Sequence, residues 1–186
     1  MKRTHPILLL LVLASACTRK PVSLPVYGEV PDFELTAATG EVFRGHSLRG
    51  KIWIADFIFT SCAGPCPRMS SQMRLIQNSL ADIPELRLVS FTVDPARDTP
   101  EVLAAYARRY QAQSGRWYFL TGPMEALHDL SRNAFKLGDV DGSLNHNTHF
   151  VLVDRRGRIR AYYPSSDGID LKKIRADVEA LRREPS

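Results

Sequence analysis

Ile52-Trp53-Ile54-Ala55-Asp56-Phe57-Ile58-Phe59-Thr60-Ser61-Cys62-Ala63-Gly64-Pro65-Cys66-Pro67-Arg68-Met69 is the stretch on which the fold of this chain turns. From Lys51 to Phe59 it is a mostly apolar run, with Asp56 the exception, as in a strand buried on both faces. A loop with two cysteines follows, and then Met69, Met73, Ile76 and Leu80 recur at helical spacing. Pro67 suits the first helical position, which sets Cys66 at or near the N-cap of a helix running to about Leu80. A thiol at a helix N-terminus feels the positive end of the dipole, and its thiolate is stabilised. That serves redox exchange and metal binding equally, so the pair alone leaves both open. A merely structural disulfide is the weaker use, because closing so short a loop removes little unfolded-chain entropy. Thioredoxin-like redox motifs usually carry a two-residue gap. Here the gap is Ala63-Gly64-Pro65. Soft thiolates select copper(I), and an added imidazole also accommodates copper(II), so a third ligand is the residue to look for.

Working outward, Phe33 and Leu35 alternate, Thr39-Gly40-Glu41 turns, and Val42 and Phe43 complete a hairpin. Leu86 to Val93 is a second buried strand ending in Asp94-Pro95. Thr99-Pro100 then opens an amphipathic helix carrying Val102, Leu103, Tyr106 and Tyr110. Trp117 to Leu120 is a short strand, and Gly122-Pro123 opens a helix holding Met124, Leu127, Leu130 and Ala134. Residues 138–148 form a polar loop. Phe150 to Val153 and Ile159 to Tyr163 make a hairpin about Arg155-Arg156-Gly157, and the last helix carries Leu171, Ile174, Val178 and Leu181. Alternating strands and helices imply an α/β domain whose sheet is covered on both faces. Functional loops then sit at the carboxyl ends of the strands, where Cys62, Cys66 and Asp94 fall.

The chain has 186 residues, the size of one domain, and its composition is that of a globular protein. Its net charge of +5 is scattered, as at Arg108-Arg109, Arg155-Arg156 and Arg182-Arg183. No basic helix or interleaved aromatic pattern argues for nucleic acid. Residues 1–16 read as an export signal: Lys2 and Arg3, an apolar core from Ile7 to Leu13, then Ala14-Ser15-Ala16. The core is shorter than the roughly 20 apolar residues that span a bilayer. Leu13-Ala14-Ser15-Ala16-Cys17 resembles a bacterial lipobox, which predicts cleavage before Cys17 and a lipid anchor on it. The alternative is an ordinary Ala-x-Ala site that leaves Cys17 free. Both place the mature chain outside the cytoplasm, on the periplasmic side. Residues 17–30, with Pro21, Pro25 and Gly28, read as a linker, and 31–184 as the domain.

Three motifs together resemble the Sco/SenC family. They are Phe57-Ile58-Phe59-Thr60-Ser61-Cys62 through Cys66-Pro67, Thr92-Val93-Asp94-Pro95-Ala96-Arg97-Asp98-Thr99-Pro100, and His146 placed before the strand Phe150 to Asp154. The resemblance runs from about Asp32 to Leu181. It implies a single thioredoxin-like domain, a central mixed sheet with helices on both faces. It also implies copper held by Cys62, Cys66 and His146, and a part in assembling the CuA centre of cytochrome c oxidase. Partners would be the oxidase subunit carrying that centre, other periplasmic copper carriers, and the membrane through Cys17. In the family, the aspartate matching Asp94 is linked to the copper site as an outer-shell group; Asp94-Pro95 is equally good turn chemistry. The chain departs from the family's pattern in lacking an acidic residue between the cysteines and in carrying Asn145 where Asp is common.

On the residues themselves, His149 has the opposite strand parity from His146 and reads as a satisfied, half-buried histidine. His128 reads as surface and His46 as a loop residue, while Met69 and Met73 read as core filling. Two functions stay in play. One is a copper metallochaperone that is not an enzyme and exchanges ligands. The other is a thiol–disulfide oxidoreductase that uses Cys62 and Cys66 and has no need of His146. Thioredoxin-like reductases carry a proline before the strand facing the active site, where this chain has Asn147 or Thr148. A peroxidase or redox sensor, with Arg68 as the nearby charge, ranks last.

Overall fold

The computed structural model describes residues 23–137, 148–166 and 168–185. Residues 1–16, Cys17, and the 138–147 segment with His146 lie outside them. Every residue of the strand Ile52–Ile58 is buried, which explains why its sequence shows almost no polar alternation. In chain order the strands are β1 (Gly28–Glu29), β2 (Glu34–Ala37), β3 (Val42–Arg44), β4 (Ile52–Ile58), β5 (Leu86–Thr92), β6 (Trp117–Thr121), β7 (His149–Val153) and β8 (Arg158–Pro164). The helices are α1 (Pro65–Ser79), α2 (Pro100–Arg109), α3 (Met124–Asp129) and α4 (Leu171–Arg183).

The strands form one sheet in the order β1-β8-β7-β4-β5-β6-β2-β3. β4 sits inside it, parallel to β5 and antiparallel to β7. Parallel neighbours need a crossover, which α1 supplies between β4 and β5 and α2 between β5 and β6. Alternation sorts the side chains. Ile52, Ile54 and Ile58 join Met69, Ile76, Leu103 and Ile174 in a core formed with α1, α2 and α4. Trp53, Ala55 and Phe57 join Leu127, Leu130 and Phe135 on the opposite face with α3. The mixed sheet covered on both sides is the expected one.

Local signals were realised closely at α2, where the Thr99 side chain accepts from the Val102 N–H and Pro100 opens the first turn. Three details differ from expectation. The helix after the cysteine loop starts at Pro65, not Pro67. The helix from Met124 gives way to a π-helical turn at Leu130–Ala134, where the Phe135 N–H reaches the Leu130 carbonyl at 2.8 Å. That wider turn seats the Phe135 ring against Trp53, Phe57 and Phe91. Finally, Gly28–Glu29, read as the end of a linker, pairs with β8 as an edge strand. Two residues are too few to show a period. Among the described residues no helix is long and apolar enough to cross a membrane.

Candidate metal centre

The site is built where β4 hands over to α1. Gly64 is the N-cap of α1, without a capping side chain, and Cys66 is the second helical residue. Prolines at 65 and 67 remove two of the N–H groups a helix start leaves unpaired. The Gly64 N–H ahead of them donates to Cys62 Sγ at 3.4 Å. Both thiols are free. Cys62 is 6% and Cys66 1% exposed, in the same core cluster as Met69 and Met73. The methionines are fully buried, as core filling requires.

Burial dominates the electrostatics. It pushes the Cys66 thiol well above the ordinary range; the Phe59 backbone acts the other way, while contact with Cys62 and the charge of Asp56 push further up. The stabilised thiolate expected from the helix start is therefore outweighed at Cys66 by desolvation. Asp56 is fully buried on the face of β4 that α1 covers, judged by its parity with Ile54 and Ile58. Desolvation raises its carboxyl to about 7, against a lowering hydrogen bond from Ser90. Ser90 Oγ donates to Asp56 Oδ1 at 2.6 Å, Trp117 Nε1 donates to Ser90 Oγ at 2.9 Å, and Asp56 Oδ2 has no partner among the described residues.

Asp94 stands just past β5, at the sheet end that carries the cysteines. Its carboxylate meets Arg97 at 2.8 Å, and its N–H donates to the Thr92 hydroxyl oxygen at 2.9 Å. The carboxylate that braces the cysteine loop is Asp98, completely buried. It accepts from the Thr60 N–H at 3.1 Å and from the Thr60 and Thr92 hydroxyls, each at 2.5 Å. Asp98 lies inside the Thr92 to Pro100 motif, where no residue pattern assigns it this role. The available signal was its position directly before the Thr99 cap.

β7 begins at His149, and antiparallel pairing brings that start to the end of β4 that carries the cysteines. The Thr148 carbonyl accepts from the Ser165 N–H at 2.8 Å, and the Ser165 carbonyl accepts from Gln72 on α1 at 3.2 Å. His149 is half-buried, as expected, but not satisfied: its buried Nδ1 has no partner among the described residues. Burial lowers its pKa. His46 is exposed beside Asp32, and His128 lies half-buried on α3. Among the described residues no three His, Cys, Asp or Glu side chains could hold an ion. The described chain therefore supplies two soft sulfur donors, and His146 lies outside it. Two free thiols with little access to water, one on the loop and one in the first turn of α1, fit a thiophilic ion.

Residues 26–182 match the SCO1/SenC family model. A SCO1/SenC family lipoprotein from Bacillus anthracis str. Ames is 31% identical, with TM-score 0.78 over 89% of this chain and 99% of that one. BsSco, a member of the Sco family of cytochrome c oxidase assembly proteins in which a disulfide switch was identified, is 29% identical; its TM-score is 0.78 over 88% and 99% of the two chains. Yeast Sco1 with copper bound is 26% identical, with TM-score 0.68 over 87% and 96%. A family match spanning the whole sheet, with the paired thiols inside it, means that this chain belongs to the SCO1/SenC family.

Proposed function

We propose that this protein is a copper metallochaperone, which takes copper as cargo on Cys62, Cys66 and His146 and hands it to the CuA-bearing subunit of cytochrome c oxidase. The observation that carries the reading is the pair of free, buried thiols at the β4–α1 junction, at the sheet end where β7 starts. The copper-bound yeast relative and the oxidase-assembly relative support it. The chemistry is ligand exchange between thiolate sites, not catalysis. Cys17, lipidated, would hold the domain on the periplasmic side of a membrane, in line with the lipoprotein relative.

A second reading is favoured by the two free thiols four residues apart and by the relative with a disulfide switch: a thiol–disulfide oxidoreductase that keeps acceptor cysteines reduced. The histidine separates them. The reduced protein is titrated with copper and compared with His146→Ala. We expect the thiolate-to-copper(II) absorption to change and affinity to fall by about 10- to 100-fold with one of three ligands gone. Unchanged absorption and affinity, with brisk disulfide exchange in both proteins, would hand the site to the oxidoreductase.

A further inference from the structure

A groove of about 590 Å³ runs between α1 and α2, lined among others by Pro67, Ser71, Arg74, Leu75, Arg109 and Tyr110. Its lining reaches Pro67, the residue after Cys66, so the groove ends at the turn of α1 that carries that thiol. Its charge is unbalanced. α1 contains no acidic residue, and the one acid of α2, Glu101, sits in the first turn, hydrogen-bonded to Thr99. Several arginines elsewhere are neutralised: Arg44 by Glu34, Arg97 by Asp94, Arg175 by Asp82, and Arg182 by Glu85 and Glu179. In the groove Arg74 bonds the neutral side chain of Gln111 at 2.5 Å, and Arg109 lies 5.8 Å from the Tyr110 ring. Among the described residues neither meets a carboxylate, nor do Arg68 and Arg108 beside them. Between the guanidinium groups Leu75 stands 50% exposed, an apolar side chain left in water on a helix whose other large apolar residues are buried.

Guanidinium groups without counter-charges on the two helices of a groove, with an exposed apolar side chain in its lining, complement an extended acidic segment carrying one apolar residue. We propose that this groove docks such a segment of the protein that exchanges copper with Cys62 and Cys66. Its carboxylates pair with Arg74 and Arg109, its apolar side chain covers Leu75, and the partner's own ligands are thereby aligned with the thiols. The inference rests on the cysteines being the site of exchange, and its deciding readout is thiol exchange, with copper binding only as a control.

Two synthetic peptides, each with one cysteine blocked as a mixed disulfide with thionitrobenzoate, serve as probes. One is flanked by glutamates and a leucine, the other by lysines and a leucine. A thiolate of the reduced protein attacks the peptide sulfur, a protein–peptide S–S bond forms, and thionitrobenzoate leaves with the bonding pair and is read by its absorbance. At low salt the acidic peptide should react about fivefold faster, as two part-screened ion pairs would give. The preference should fade at high salt. It should reverse in Arg74→Glu/Arg109→Glu and persist in the double Lys variant, with circular dichroism and copper stoichiometry unchanged in both. Equal rates for the two peptides in the parent, or a preference the reversal leaves intact, would overturn the proposal. So would equal rates combined with Arg74- and Arg109-dependent binding to vesicles of anionic phospholipid, which would make the groove a membrane contact. A parent that prefers the acidic peptide but takes up no copper overturns the metallochaperone reading and leaves the groove standing.

Discussion

Asp56 is an ionisable group in the middle of a strand whose every residue is buried, and its neighbours only half accommodate it. Ser90 satisfies one oxygen, and among the described residues nothing satisfies the other. An ordinary aspartate ionises at 3.8, and burial holds this one protonated to about 7. Between those values the folded chain binds more protons than the unfolded one, so this residue makes stability fall as pH rises from about 4 to about 7. Asp56→Asn keeps the acceptor for Ser90 and removes the charge. It should be more stable than the parent near pH 8, by about 2–4 kcal/mol, and the gap should close near pH 4, as read from urea midpoints. A variant less stable than the parent at both pH values would contradict a desolvation cost. Because the Asp56 charge also opposes the Cys66 thiolate, the variant's thiol should react with iodoacetamide at lower pH. The apolar run around Asp56 was legible as a buried strand. That this residue shares a hydrogen-bond chain with Ser90 and Trp117 was not, because those residues come from β5 and β6 and meet only in the sheet.

At the scale of elements, the cysteine loop is shaped by what fastens its ends. α1 fastens one end through its core face, where Met69, Met73, Ile76 and Leu80 are all fully buried. Asp98 fastens the other, joining Thr60 at the loop's start to Thr92 at the end of β5. Asp98→Ala leaves two hydroxyls and an N–H without their acceptor in a buried place, which should lower stability by about 3 kcal/mol. It should also speed alkylation of Cys62, since the loop then opens locally without global unfolding. Normal alkylation alongside a large loss of stability would mean that Asp98 braces the sheet and not the loop. Helix starts were readable to the extent that their chemistry is local. Thr99-Pro100 sits where a cap and a first-turn proline belong, whereas the cysteine loop offered two prolines and the earlier one opens the helix. The π-helical turn had no local signature, because it exists to seat Phe135 among aromatic rings from β4 and β5.

The molecule as a whole is closed by Arg160, 1% exposed on β8. Its guanidinium donates to Asp154 at 2.8 Å and to both oxygens of Glu184 at 2.7 Å. It also donates to the carbonyls of Leu24 at 2.6 Å and Pro25 at 3.0 Å. One side chain thus ties the segment entering the domain to the end of α4. Arg160→Met would take the nearest cation from Glu184, which keeps Arg158 at 3.7 Å, and one of two from Asp154, which keeps Arg158 at 2.7 Å; it should lower stability by about 3 kcal/mol. Limited proteolysis near Pro25 should quicken with it; a variant that unfolds earlier but is cut there no faster would show that the entering segment is held by β1 instead. The hydrogen bonds from Arg160 hold the Glu184 carboxyl below its ordinary 4.5. A depressed carboxylate stabilises the fold above its unfolded value, and that contribution is lost as pH falls through the folded one. The closure should therefore loosen in acid, below about pH 4.5, as cleavage near Pro25 would report.

Strand and helix order, the buried central strand, the thiols at its carboxyl end and the family resemblance were all present in residue order, because each rests on periodicity, capping or spacing within a few positions. The raised titration of Cys66, the role of Asp98, the unsatisfied His149, the edge pairing of Gly28–Glu29 and the Arg160 closure depend on groups far apart in sequence. Desolvation and hydrogen bonding act through space, and only the packed sheet determines which of these groups lose water together.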